Sequence, residues 1–379
     1  MTSKGLSGVV AAETAVSRVD GEHGTLIFRG YNVWELGGQA TYEEVVYLLW
    51  QGELPTQTQL DSFKAELAAR RELPMAVLQA MQSFPKQAHP MAVLRTAVSW
   101  LGMADPTADD TSQTAAREKA MSLTAVFPTI VAAWEQIRQG NVPIAPRQDL
   151  SHAANFLYML NGQWQNPDAV NALDAYLVLL ADHDFNASTF ASRVTTGTQT
   201  DIYSAVTTAI GTLKGMSHGG ANQKAMEQFI EAAEAGDVAA WYQQKRAAGQ
   251  RIMGIGHREY KVVDPRARVF RPLAERLANS SGQGQWFVVA DQIEQLTRQD
   301  PYFIERNLYA NVDYYSAVAL YMIGIPVDQF TAVFAISRIA GWAAHIQEQL
   351  VNNRLIRPQA QYVGPQPRPY VPIKVRNEK

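Results

Sequence analysis

The chain has 379 residues, no cysteine, and 33 basic against 36 acidic side chains, for a formal charge of −3. That balance excludes the basic face a general nucleic-acid binder needs, and the lack of cysteine excludes disulfides, thiolate nucleophiles and cysteine zinc sites together. Charged residues make up 18%, below the ~25% usual for soluble chains, and apolar ones 47%, so much of the surface is buried or shared with a partner subunit. The length points to two domains or one large one. Met1–Gly8 has one lysine and no apolar run, unlike a signal peptide, and no stretch approaches the ~20 apolar residues of a membrane span. A cytoplasmic, soluble protein without membrane or nucleic-acid partners is expected.

The only β signal lies in the first thirty residues. Val9–Val19 is rich in small and β-branched residues, Thr25–Phe28 is a second run, and Asp20-Gly21 suits the turn between them. From there the pattern is helical. Thr41-Tyr-Glu-Glu44 reads as a capping box for a helix through Val45, Leu48 and Leu49 that stops near Gly52, and Thr56–Gln59 repeats the device. Helices are expected over Met75–Ser83, Met91–Leu101, Ala115–Gln139 (kinked at Pro128) and Ser151–Leu160, with a loop over Asn141–Leu150. Two apolar helices, Ala169–Leu180 and Asp201–Leu213, follow. Asn222–Glu234, Val238–Ala248, Asp264–Asn279 and Trp286–Thr297 come next, the third opened by Asp264 as cap and Pro265 at the first helical position. Asp328 is read as the cap of a long helix through Phe330, Trp342 and Ile346. The proline-rich tail from Arg357 is read as extended. No repeat of 20–50 residues appears. The fold class is mainly α, with a small N-terminal β-hairpin.

Polar chemistry collects at four element boundaries: Ala181-Asp-His-Asp-Phe-Asn186, Ser217-His-Gly-Gly-Ala-Asn222, Arg251-Ile-Met-Gly-Ile-Gly-His257 running into Asp264-Pro-Arg266, and Asn311-Val-Asp-Tyr-Tyr-Ser316. Of the seven histidines, His23 and His89 read as solvated loop residues, and His152 and His345 as structural ones. His218 and His257 stand apart because flanking glycines let backbone approach a ligand closely. Gly254-Ile-Gly256 is no dinucleotide fingerprint, since it lacks the third glycine and a βαβ setting. Asp182, His183 and Asp184 supply metal-binding atoms without a His-Glu-x-x-His spacing, and no Gly-x-Ser-x-Gly elbow supports a serine triad. Acid–base chemistry by two histidines and a carboxylate survives, with arginines for an anionic substrate.

These segments resemble the citrate synthase family in its short bacterial and archaeal form. The resemblance rests on Gly-Leu-Ser-Gly-Val-Val and Phe-Arg-Gly-Tyr in Gly5–Tyr31, on Ala181–Arg193, Ser204–Asn222 and Arg251–Arg266, and on Asn311 to Pro365. It implies a two-domain helical homodimer: a large domain from residues 1–220 and 326–379 (the latter with the extended tail), and a small domain from 221–325. It also implies the condensation of acetyl-CoA with oxaloacetate to citrate and CoA, without metal or cofactor, the CoA thioester being a substrate. By motif position His218 corresponds to the histidine that stabilises the acetyl-CoA enol, His257 to the one that polarises the oxaloacetate carbonyl, and Asp313 to the base. His183, Arg266, Arg338 and Arg357 match oxaloacetate-binding positions, Arg357 reaching across the dimer. Arg251, Ile252, Met253, Gly254 and Ile255 match the loop that receives CoA adenine, and Lys261 a phosphate contact. Met216-Ser217, Glu259, Ala310 and Ala317 depart from the common pattern in the CoA loop and acyl pocket, but remove no catalytic group.

The residue types suit such a reaction. An aspartate is too weak a base to form a free enolate, so the enol oxygen must be stabilised as it forms, best by a neutral histidine. Arginines bind the two oxaloacetate carboxylates bidentately. Rival readings are 2-methylcitrate synthase, which takes propionyl-CoA, a metal hydrolase on Asp182, His183 and Asp184, and a non-catalytic helical dimer. The bland readings of two site residues are Asp313 as a helix cap and Arg338 as a buried ion-pair partner.

Overall fold

The computed structural model describes residues 4–6, 8–163 and 166–376; residues 1–3, Ser7 of the Gly-Leu-Ser-Gly motif, and the end of the tail lie outside them. The chain is mainly helical, with one small antiparallel sheet of order β1-β2-β3 (Ser17–Asp20, Thr25–Phe28, Tyr31–Asn32). Ser17 pairs with Phe28 and Asp20 with Thr25, so the turn spans four residues, 21–24, rather than two. Asp20 organises it by accepting the His23 N–H at 3.1 Å. Residues 9–16 form no strand, so the first strand is shorter than its β-branched composition suggests.

Both capping boxes form. Thr41 and Glu44 bond reciprocally at the start of Tyr42–Gln51, which ends at left-handed Gly52, and Thr56 with Gln59 does the same for Gln57–Ala69. Helices Met75–Gln82, Pro90–Ala104, His152–Asn161, Ile202–Leu213 and Val238–Ala247 lie within a few residues of expectation. Gln113–Arg138 continues through Pro128 as one helix, and 141–150 is irregular. Three corrections concern caps. His89 is half-buried and its Nδ1 accepts the Met91 N–H at 3.1 Å, capping Pro90–Ala104. Asp328 caps nothing: a single 3-10 turn precedes Phe330–Val351, and Asp328 pairs instead with Arg138. Asn311, not Asp313, caps Val312–Met322.

Helix Phe330–Val351 is buried along most of its length and packs on Gln113–Arg138, Ala187–Thr196 and Pro167–Leu180. Its apolar run explains that placement, since a helix apolar on all sides has no solvent face. Pro265–Ser280 packs on both Val312–Met322 and Pro167–Leu180. The helix Ala187–Thr196, poor in strong helix formers, was not legible from periodicity; its one signal is Asn186, whose side chain accepts the Ser188 and Thr189 N–H groups.

At Gly341 the backbone of the long helix meets the chain just past Pro167–Leu180. The Gly341 N–H donates to Ala181 O at 3.0 Å, and a Cβ here would overlap both that oxygen and Asp182 Oδ1. Gly341→Ala is therefore expected to cost about 2–4 kcal/mol in urea unfolding, more than a helix-interior glycine-to-alanine change would otherwise gain.

Candidate active site

Asp182-His183 leaves the C-terminal end of Pro167–Leu180, where helix carbonyls lack intrahelical donors. Arg338 Nε donates to one of them, Leu180 O, at 2.7 Å, a favourable place for a cation near a helix C-terminus. The guanidinium is 1% exposed, lies 4.7 Å from the Phe334 ring centroid, and has no ion pair among the described residues. Burial pulls it down to about 10, with Asp182 opposing that shift. The ion-pair reading of Arg338 fails; a buried cation without a counter-ion suits an anion arriving from outside.

Arg266 sits in the first turn of Pro265–Ser280, capped by Asp264. Its Nε and Nη2 bind the two Asp264 oxygens at 3.0 and 2.8 Å, leaving Nη1 unengaged among the described residues. Asp264 Oδ2 also accepts the Val312 N–H at 3.2 Å, so one carboxylate ties Arg266 to the helix of Asp313. Arg266 Nη2 lies 3.5 Å from His257 Nε2. The His183 and His257 rings are 5.5 Å apart, and His183 Nε2 is 3.1 Å from the hydroxyl of buried Tyr260.

Backbone amides fix the proton positions on two histidines. The Glu259 and Tyr260 N–H groups donate to His257 Nδ1 at 3.1 and 3.3 Å, which leaves the proton on Nε2. The Ser188 N–H donates to His218 Nε2 at 3.3 Å, which leaves it on Nδ1. Ser188 Oγ lies 2.8 Å from the same Nε2 and accepts from Trp342 Nε1 at 3.1 Å. Burial, then neighbouring arginines, push both rings down to about 4, so both are neutral at pH 7. His183 is driven lower than its ordinary value by burial and by Arg266. Asp313, half-buried and without a hydrogen bond to its carboxylate among the described residues, is pushed up by burial to about 6 against the pull of Arg266.

The loop 251–257 is held against the segment before Asp313. Ile255 bridges Ala310, Gly256 N–H donates to Tyr309 O at 2.7 Å, and Asn311 donates from its backbone N–H to Gly254 O at 2.9 Å and from Nδ2 to Gly256 O at 2.8 Å. Met253 N–H is held by Gln228 Oε1 at 2.9 Å. Gly254 has φ 77°, and a Cβ there would press on Tyr314. Ile252 is buried while Arg251 is exposed. Lys261 is exposed and its N–H donates to Gly21 O at 2.9 Å, so the N-terminal turn touches this loop.

His218, His257, His183, Asp313, Arg266 and Arg338 thus form one electrostatically linked group. Arg357 does not join it within this chain: it is exposed and makes no ion pair or hydrogen bond among the described residues. The metal-ligand reading of Asp182, His183 and Asp184 loses its geometry. Asp182 is buried, accepts from Ser17 and lies 3.2 Å from His345 Nε2; no group of three metal-binding side chains occurs among the described residues. His345 is a structural histidine, as is fully buried His152. His23 is exposed beside Asp20. Ser188, Tyr260 and Trp342 were not singled out from sequence. Ser188 carries a signal only in hindsight, two residues after the capping Asn186.

Arg266→Lys is expected to lower unfolding stability by about 1–3 kcal/mol, because an ammonium cannot serve Asp264 bidentately as the guanidinium does. Urea unfolding checks this; an unchanged midpoint would mean the Asp264 pair contributes nothing.

Comparisons with known proteins identify the family. Residues 5–359 match the family described as citrate synthase, C-terminal domain. The chain is 43% identical to citrate synthase of Haloferax volcanii over 98% of both chains, and 42% identical to 2-methylcitrate synthase of Mycobacterium tuberculosis over 95% of this chain and 90% of the relative. It superposes with a TM-score of 0.92 and 33% identity on citrate synthase of Thermoplasma acidophilum, solved in ternary complex with carboxymethyl coenzyme A and oxaloacetate, covering 99% of this chain and all of the other. The chain belongs to the citrate synthase family.

Proposed function

We propose that this chain condenses acetyl-CoA with oxaloacetate and water to give citrate and CoA. The observation that carries the reading is buried Arg338, which makes no ion pair among the described residues, near Arg266, whose Nη1 is unengaged among them. Together they offer two positive groups to a dicarboxylate. His183 completes the oxaloacetate pocket, and His257, its Nε2–H directed by the two amides at Nδ1, polarises the carbonyl. His218 presents Nδ1–H to the thioester oxygen and stabilises the enol as Asp313 removes the methyl proton. Since the methyl group is far less acidic than Asp313, the proton leaves only with the enol oxygen hydrogen-bonded and its partner carbonyl in place. Loop 251–255 and Lys261 receive the CoA nucleotide.

The same reading has two domains, 1–220 with 326–379 and 221–325, closing on the substrates so that water meets the citryl thioester only after condensation. It has two chains sharing each site, with Arg357 on the extended tail supplied by the neighbour, and a cytoplasmic location; no helix among the described residues is long and apolar enough to cross a membrane. No metal or cofactor enters any step. The second reading, 2-methylcitrate synthesis from propionyl-CoA, is favoured by the relative of that name at 42% identity. One methylene is worth only about 1–3 kcal/mol in a pocket, so the same groups serve either substrate.

Thiol release from acetyl-CoA and from propionyl-CoA, each with and without oxaloacetate, tests the assignment. Release is expected only with oxaloacetate, at a higher kcat/KM for acetyl-CoA and unchanged by EDTA. A preference for propionyl-CoA would establish the second reading, and release without oxaloacetate would refute both.

The raised Asp313 sets the pH dependence. The base must be ionised, so lowering the pH through the free protein's value of about 6 protonates it and kcat/KM for oxaloacetate falls, about tenfold per unit below that point. Asp313→Asn is expected to reduce kcat by about 10²- to 10⁴-fold with oxaloacetate binding retained. Because Asn311 holds the cap, the helix is undisturbed, and a near-normal kcat would remove Asp313 from the chemistry.

A further inference from the structure

The turn of Phe330–Val351 that carries Arg338 is held from two sides. On one side its groups reach carbonyls at the end of Pro167–Leu180: Ser337 Oγ to Leu177 O at 2.6 Å, Arg338 Nε to Leu180 O at 2.7 Å, and Gly341 N–H to Ala181 O at 3.0 Å. On the other side, two residues of Tyr42–Gln51 donate to carbonyls of the long helix itself. Tyr42 Oη donates to Ile336 O at 2.7 Å and lies 3.0 Å from Ser337 O, and Trp50 Nε1 donates to Ala340 O at 3.0 Å. Helical carbonyls keep a second lone pair for such donors.

Tyr42 is itself firmly placed. It is the first residue of a helix whose start is set by the Thr41–Glu44 capping box, its N–H donates to Asp174 Oδ1 at 3.3 Å, and its ring lies 5.1 Å from that of His152. The side chain is fully buried, and burial holds the phenol well above its ordinary range, so it stays a donor throughout the working pH range.

We propose that Tyr42 and Trp50 are positioning residues for oxaloacetate: through the carbonyls of 336, 337 and 340 they set the height and rotation of the turn from which Arg338 projects. This rests on the reading of Arg338 as a carboxylate-binding group. A planar guanidinium meets a carboxylate bidentately only in a narrow range of positions, and a helix backbone is stiff, so a displacement at 336–337 is passed directly to 338. Without the Tyr42 hydroxyl only Trp50, through Ala340 O, opposes the three bonds on the Leu177–Ala181 side, and the turn shifts toward that side.

The test is steady-state kinetics on the full chain for Tyr42→Phe, Trp50→Phe, Arg338→Lys and the Tyr42→Phe/Arg338→Lys pair, with unfolding midpoints measured alongside. Tyr42→Phe keeps the ring and deletes only the hydroxyl. Its KM for oxaloacetate is expected to rise roughly five- to tenfold, and that of Trp50→Phe about threefold, with KM for acetyl-CoA and the midpoint pH of the acid limb unmoved. In the pair, Tyr42→Phe adds little to Arg338→Lys, because both act through one contact. A Tyr42→Phe protein of lowered stability but normal KM for oxaloacetate reduces Tyr42 to core packing and overturns the proposal, as does full additivity in the pair. If Tyr42→Phe does not fold, Trp50→Phe decides, and an unchanged KM there overturns it. If Arg338→Lys alone leaves KM for oxaloacetate unchanged, the reading of Arg338 falls and the proposal with it. A raised KM in Arg338→Lys beside a normal one in Tyr42→Phe overturns the proposal only.

Discussion

The close crossing of Phe330–Val351 over the end of Pro167–Leu180, possible only because residue 341 has no side chain, is the contact on which the site depends. Within one helical turn of Gly341 the long helix supplies three groups to different tasks. Arg338, one turn earlier, faces the carbonyl of Leu180; His345, one turn later, meets Asp182; and Trp342 donates to Ser188, whose backbone N–H fixes the proton of His218. Asp182 also accepts from Ser17 of the first strand, and Glu348 accepts from the Ala15 N–H at 2.8 Å, so the N-terminal segment is fastened to the same crossing. Burial raises Asp182, but His345 and Arg338 outweigh it and hold the carboxyl below its ordinary value.

The electrostatics of the candidate site are unbalanced by construction. Arg338 feels Asp182 but makes no ion pair among the described residues, Arg266 pairs with Asp264, and the three nearby histidines are kept neutral by burial and by those arginines. Asp313 is raised to about 6 by the same burial. Such an arrangement costs stability in the free protein, since a buried charge without a partner is unfavourable. In the proposed function a bound dianion relieves that cost and leaves Asp313 a stronger base, so the groups that cost stability are the ones assigned to binding and reaction.

Much of the fold was legible because it is built from local signals. The Thr41 and Thr56 boxes and Asp264-Pro265 determine their own helix starts, and the structure reproduces them. Asp328 shows the limit of that reasoning: a good cap residue before an apolar helix is claimed instead by Arg138, nearly two hundred positions away. The candidate site was legible as four polar segments, and they do converge. Its supporting groups were not: Ser188 lies on a helix without periodicity, Tyr42 is only the second residue of a capping box, and Trp342 is one of the apolar positions of the long helix. Their polar atoms matter only through what tertiary packing sets opposite them, and no spacing records that.

The most direct measurement is a crystal structure of the protein with oxaloacetate. The buried arginines predict one carboxylate on the free nitrogens of Arg338 and contact of the substrate with Arg266 Nη1. The Arg338–Leu180 and Arg266–Asp264 bonds should remain intact, and the ketone oxygen should lie within hydrogen-bond distance of His257 Nε2. A structure in which Arg338 turns to Asp182, or in which oxaloacetate binds without touching either arginine, would contradict it.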